Sequence, residues 1–251
     1  MTEPDSSTSA QPGDTYGVAG ENKGIVNQYF GTLPELLKRL EETSKAESVG
    51  TLKAGNPRKS LAHWQGRDEE IAQLRQWLSN KTPLIGIEAI GGTGKSTLAA
   101  KIYEEIDGFP KRYWADVSTG ALFTDLARQV LTEFGCRVPE EESQLVTALV
   151  KFLQSNQCLL VIDNLESLLQ ADGQWQSQFY GDFFGYWLEC GSQSTVLVTT
   201  RERPRLRGFE WLTLKGLKTP EGAALLTELG IRGDLEAFTL GGDNEARGLA
   251  V

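Results

Sequence analysis

The residues best suited to chemistry lie in three short runs. The first is AIGGTGKST, residues 89–97. Gly91, Gly92 and Gly94 let a backbone turn tightly and aim its N–H groups inward at an anion, with Thr93 between them. A helix starting near Lys95 adds the positive end of its dipole. Lys95 can reach the outer phosphates of a nucleotide, Ser96 offers a hydroxyl to Mg²⁺, and Thr97 can hydrogen-bond a phosphate oxygen. The usual spacing, G-x-x-x-x-G-K-[ST], places glycine where this chain has Ala89, a small residue at the end of an expected strand.

The second run, CLLVIDNLES (158–167), carries an apolar stretch straight into Asp163. At the C-terminal end of a strand that acid faces the ligand crevice of a parallel sheet, where it can hold Mg²⁺ opposite Ser96. Its other reading is the N-cap of a following helix. Asn164 stands where many phosphate-handling enzymes carry a second carboxylate. An amide there can orient water but is a poor base, so Asn164→Asp is expected to raise turnover if a missing base is limiting. Glu166 is a candidate substitute, although alternation along an extended segment puts it on the wrong face. The third run, STVLVTTR (194–201), ends on Arg201, whose guanidinium can sense or stabilise γ-phosphate charge. Arg201, Arg203, Arg205 and Arg207 also read as a basic surface patch.

Positioning these runs requires alternating strands and helices. The pattern predicts helices over 69–78, from the glycine-rich turn to 106, near 121–134 and 142–155, and over 217–229. It predicts strands over 84–87, 113–117, 159–162, 195–199 and 211–214. Such alternation argues for an α/β fold with a parallel sheet covered by helices on both faces. Ahead of it, residues 1–16 have the composition of a disordered tail. Residues 17–31 suggest a hairpin around Asn22–Gly24, residues 33–44 a helix begun by Pro34, and residues 48–60 a linker.

Composition narrows the class. The chain has 251 residues, enough for one large domain, and a net charge of −9, which disfavours non-specific binding to nucleic acid or anionic membrane. No apolar run approaches the roughly 18 residues of a membrane span, and the acidic N-terminus is no secretory signal. Cys136, Cys158 and Cys190 form no C-x-x-C pair and suit a reducing, cytoplasmic setting. A single histidine, His63, makes a histidine-based metal site or a Ser/His/Asp triad implausible.

Taken in order, WQGRDEEIAQLRQWL (64–78), AIGGTGKSTLA (89–99), RYWADVS (112–118), LLVIDNLES (159–167), VLVTTRERP (196–204) and LKGLKTPEGAALL (214–226) resemble the NB-ARC group of STAND-class P-loop ATPases, over roughly residues 61–230. The resemblance implies a five-stranded parallel sheet of the P-loop type, with the fourth strand between those carrying the phosphate loop and the acid. It implies that Gly66 and Arg67 lie near adenine and ribose, that Gly91 to Thr97 bind phosphate, that Asp163 is the Mg²⁺-associated acid, and that Arg201 senses the nucleotide. The preference for adenine rests on this likeness alone. The group continues into a small helical domain and a winged helix, so residues 61–240 read as the nucleotide-binding domain and 241–251 as the start of a missing C-terminal region, with the chain a fragment or truncated product.

The expected function is an ATP/ADP-dependent signalling switch using Mg²⁺, a slow ATPase that self-associates and recruits an unknown downstream effector. Residues 17–47 would supply a short recruiting segment, their Gly/Asn-rich mixture with Val, Ile, Tyr and Phe being compatible with strand stacking between chains. Two other readings stay open: a nucleotide-binding scaffold with negligible hydrolysis, favoured by Asn164, and a steadily turning remodelling ATPase of the AAA+ type. Catalysis, where present, is expected of Lys95, Asp163, Asn164 and Arg201.

Overall fold

A computed structural model describes residues 53–55, 57, 60–189 and 193–230. The expected tail, hairpin, 33–44 helix and C-terminal extension lie outside the described residues.

Among the described residues six strands form one sheet in the order β1-β3-β4-β5-β2-β6. They are β1 (Lys53–Gly55), β2 (Leu84–Glu88), β3 (Lys111–Asp116), β4 (Cys158–Asp163), β5 (Thr195–Thr200) and β6 (Glu210–Thr213). From β3 to β6 all pairings are parallel, which gives the expected five-stranded parallel sheet. The helices are α1 (Asp68–Ser79), α2 (Lys95–Glu105), α3 (Phe123–Glu133), α4 (Leu145–Gln154), α5 (Gln178–Glu189) and α6 (Thr219–Glu228).

The central strands β4 and β5 are buried along their length because both faces of the sheet are covered. Their side chains alternate between two cores. Leu160, Ile162, Val196 and Val198 pack with Leu126 and Val130 of α3, Leu149 of α4 and Phe183 and Trp187 of α5. Leu159, Val161 and Leu197 face the other way, onto Leu74 and Leu78 of α1 and Leu98 and Ile102 of α2. Gly86 of β2 sits beside Trp211 of β6, and a Cβ there would fall 2.1 Å from the indole ring. A glycine inside this strand admits a large ring at the sheet edge.

Two elements depart from the sequence reading. The stretch read as linker contributes β1, which pairs antiparallel with β3, Lys53 opposite Asp116. Three residues carry too little pattern to read as a strand; the exposed edge of β3 supplies the partner. The second is α5, QFYGDFFGYWLE, for which no helix was predicted. Its Gly181 and Gly185 are poor helix formers. Burial overrides them: Phe179, Tyr180, Phe183, Phe184 and Trp187 are all enclosed. Gly181 has a packing reason too, since a Cβ there would meet Trp175 at 2.9 Å.

Candidate functional site

Parallel strands deliver their C-terminal ends to one rim. The order β4-β5-β2 decides what meets there. Glu88 ends β2 opposite Thr200, and the N–H of Ala89 donates to the Thr200 carbonyl at 3.3 Å. The loop leaving β2 therefore lies beside Arg201, directly after β5. Asp163, ending β4, flanks β5 on the opposite side.

The loop turns through two left-handed residues, Gly92 (φ 78°) and Gly94 (φ 93°), before α2 begins at Lys95. Thr93 ties it internally, its hydroxyl donating to the Ile90 carbonyl at 2.8 Å. Lys95 is 7% exposed and folds back over the loop, Nζ donating to the carbonyls of Ala89 (2.8 Å) and Ile90 (3.1 Å). Burial holds its ammonium below the ordinary lysine range; Glu166 and Asp163 oppose that shift and Arg201 adds to it. An ammonium with little water around it is well placed to exchange carbonyls for phosphate oxygens.

Ser96 and Asp163 meet: the Ser96 hydroxyl donates to Asp163 Oδ1 at 2.7 Å. Asp163 is only 2% exposed, and the Thr199 hydroxyl of β5 donates to the same oxygen. Among the described residues no three His, Cys, Asp or Glu side chains gather into a metal site. One hydroxyl and one buried carboxylate suit Mg²⁺, which takes few protein ligands and completes its shell from phosphate and water.

Gly66 (φ 63°) and Arg67 (φ 70°) are both left-handed, immediately before α1. A side chain at Gly66 would collide with Glu221 of α6, a Cβ falling 2.2 Å from its carboxyl carbon. Arg67 is buried between Glu70 (3.0 Å) and the Thr93 carbonyl of the phosphate loop (3.2 Å). Its observed contact is with the loop backbone.

The four arginines after β5 separate. Arg201 is 62% exposed, yet its Nε lies 3.1 Å from Glu166 Oε1 and its backbone N–H donates to Glu166 Oε2 at 3.2 Å. Its guanidinium lies over the loop, 3.2 Å from where a Cβ of Gly91 would be. Arg203 is engaged elsewhere, on Glu88 and above the Trp211 ring. Arg205 and Arg207 are exposed.

The segment after Asp163 is not extended. Asn164 is left-handed (φ 68°), and residues Leu165–Leu168 form a 3-10 turn. The alternation used to place Glu166 therefore does not apply. The turn buries Leu165 in the core and carries Glu166 to Arg201. Asn164 turns to β3: its side-chain amide donates to Asp116 Oδ1 at 3.0 Å, while its N–H donates to the Thr199 hydroxyl at 3.0 Å. Asp116 and Thr199 were not read as site residues. The adjacent threonines of VLVTTR and the acid closing KRYWAD are polar residues at strand ends, but nothing local marks their partners.

The NB-ARC domain model matches residues 67–204, more than half of the chain. The chain belongs to the NB-ARC family. This NB-ARC chain is 29% identical over 195 residues to an uncharacterised WD repeat-containing protein of Nostoc sp., covering 66% of this chain and 15% of that protein. It is 25% identical over 198 residues to a disease resistance protein of Arabidopsis thaliana, covering 72% of this chain and 16% of that one. The chain thus spans about a sixth of the length of these relatives. In fold it matches the crystal structure of a signal transduction ATPase with numerous domains from Pyrococcus horikoshii that has a tetratricopeptide repeat sensor. That match has a TM-score of 0.53 at 22% identity, over 73% of this chain and 28% of that one. The family is one of nucleotide-binding P-loop NTPases, as the phosphate loop requires. No helix among the described residues is long and apolar enough to cross a membrane.

Proposed function

We propose that this NB-ARC chain is an ATP/ADP-dependent signalling switch. The observation that carries the reading is the meeting of Ser96 and Asp163 at 2.7 Å beneath a glycine-rich loop on which Arg201 lies. The amides of Gly91 to Ser96 and the Lys95 ammonium bind the phosphates, with Thr97 contributing its hydroxyl. Ser96 and Asp163 would hold Mg²⁺, which would supply neutralisation of phosphate charge. Arg67 braces the loop through Thr93, and Gly66 lets α6 approach it through Glu221.

A switch requires that the γ-phosphate contact two states differently. Arg201 is the reporting group. It is exposed enough to move, and it joins the phosphate loop to the turn after β4. Slow hydrolysis would return the ADP state, and the output would be self-association and recruitment of an effector, with residues 17–47 as the recruiting segment. The scaffold reading keeps support only if bound ATP is never cleaved. A turnover above about one per second would instead favour the remodelling-ATPase reading.

Titration of wild type and Lys95→Ala with a fluorescent ATP analogue in Mg²⁺ tests the site. The substitution is expected to weaken binding by about 100-fold. Equal affinity in the two proteins would remove the phosphate-loop assignment.

A further inference from the structure

The residue after the metal-associated acid is an amide, yet the rim holds a second carboxylate. Asn164 is left-handed, a conformation asparagine tolerates better than most residues, and its amide is bound to Asp116. Asp116 belongs to β3, and in the order β3-β4-β5-β2 it lies on the side of β4 away from the phosphate loop. The 3-10 turn that follows carries Glu166 the other way, across to the end of β5.

There the carboxylate is held at both oxygens by one residue: Arg201 Nε on Oε1 and the Arg201 N–H on Oε2. That arrangement uses the inner edge of the guanidinium. The terminal nitrogens lie over Gly91, each 3.4 Å from where its Cβ would be. A single arginine therefore fixes a carboxylate at one end and overlies the phosphate loop at the other. The Glu166 side chain is only 20% exposed and, unlike that of Asn164, is turned to the loop side of the sheet.

We propose that Glu166 is the carboxylate that orients the attacking water, and that Arg201 positions it for this role. The inference rests on the reading of this rim as an ATP site. The water oxygen forms its bond to the γ-phosphorus as the bond from that phosphorus to the β–γ bridging oxygen breaks. The electron pair leaves with the diphosphate, and the water's proton passes to the Glu166 carboxylate, which returns it to phosphate or solvent.

The test is cleavage of γ-³²P-labelled ATP in a single turnover by the 251-residue chain, with affinity measured separately. Glu166→Gln keeps the shape and can still accept the Arg201 N–H. It is expected to bind ATP within about threefold of wild type and to cleave it about 100-fold more slowly. Glu166→Asp, which keeps the charge at a shorter reach, is expected to recover part of that loss. Cleavage by Glu166→Gln at the wild-type rate would overturn the assignment. So would Asn164→Asp cleaving faster than wild type, which would move the role back to position 164. A wild-type chain that holds ATP uncleaved over a day would overturn the inference and leave nucleotide binding standing. Wild-type affinity in Lys95→Ala would instead remove the ATP-site reading itself.

Discussion

The loop leaving β2 and the turn leaving β4 face each other across the end of β5, but they are built by different means. The first is made mostly from its own backbone. Two left-handed glycines shape it, Thr93 and Lys95 bond carbonyls a few residues away, and α2 begins where it ends. The second is made from other strands. Asn164 is held by Asp116 of β3 and Thr199 of β5, Asp163 by Thr199 and Ser96, and Glu166 by Arg201. A site built from local backbone geometry can be recognised from a short string of residues. A site built from tertiary partners can be rebuilt with different residue types so long as the pairings are kept.

The contrast predicts where substitutions hurt and why. The largest effect is expected at Gly94, which is left-handed with open space around it, so that only conformation opposes a side chain. Gly94→Val should cost about 3 kcal/mol of stability and lose ATP binding, as read by urea unfolding and titration. A variant as stable as wild type would mean that the loop does not depend on its backbone conformation.

Next comes Asn164, where two costs can be separated. Asn164→Gly keeps the left-handed backbone and loses the amide bond to Asp116, an expected loss of about 1 kcal/mol. Asn164→Leu loses the bond and strains the backbone, and should cost about 2 to 3 kcal/mol. Equal losses would show that side-chain pairing alone matters there. Asn164→Asp, expected from sequence to supply a missing base, instead sets a carboxylate against Asp116 and should destabilise the turn without raising turnover.

The smallest effect lies far from the rim. β4 begins at Cys158, where burial pushes the thiol up to about 12, and the neighbouring Tyr113 phenol is pushed up to about 12, first by burial and then by Glu133. Folded-state values above the unfolded ones mean that the stability they contribute is present below about pH 9. It is lost as pH rises towards 12. Tyr113→Phe should therefore flatten the fall in urea midpoint between pH 9 and pH 11. An unchanged slope would assign that fall to other groups.

Much of this was legible in the residues. The alternating elements, the parallel sheet and the glycine-rich turn before α2 all follow from patterns within a few residues of one another. The helix α5 was less legible because glycines diluted a stripe of aromatics whose burial outweighs them. The strand β1 was hidden by its shortness, being completed by a partner some 60 positions away. Ala89, where the usual spacing has glycine, sits buried at a strand end and continues the ladder to Thr200.

At the rim the division is sharper. Sequence alone determined that a glycine-rich turn leads into a helix at Lys95 and that Asp163 closes an apolar strand, because backbone turns, helix starts and strand burial are set by neighbouring residues. Only the tertiary structure decided where the polar side chains after Asp163 go. Asn164 and Glu166 are two positions apart, and one left-handed residue between β4 and its 3-10 turn sends them to opposite neighbours in the sheet, Asp116 and Arg201. Those partners come from β3 and from the end of β5, so chain crossover, not local spacing, brings them together.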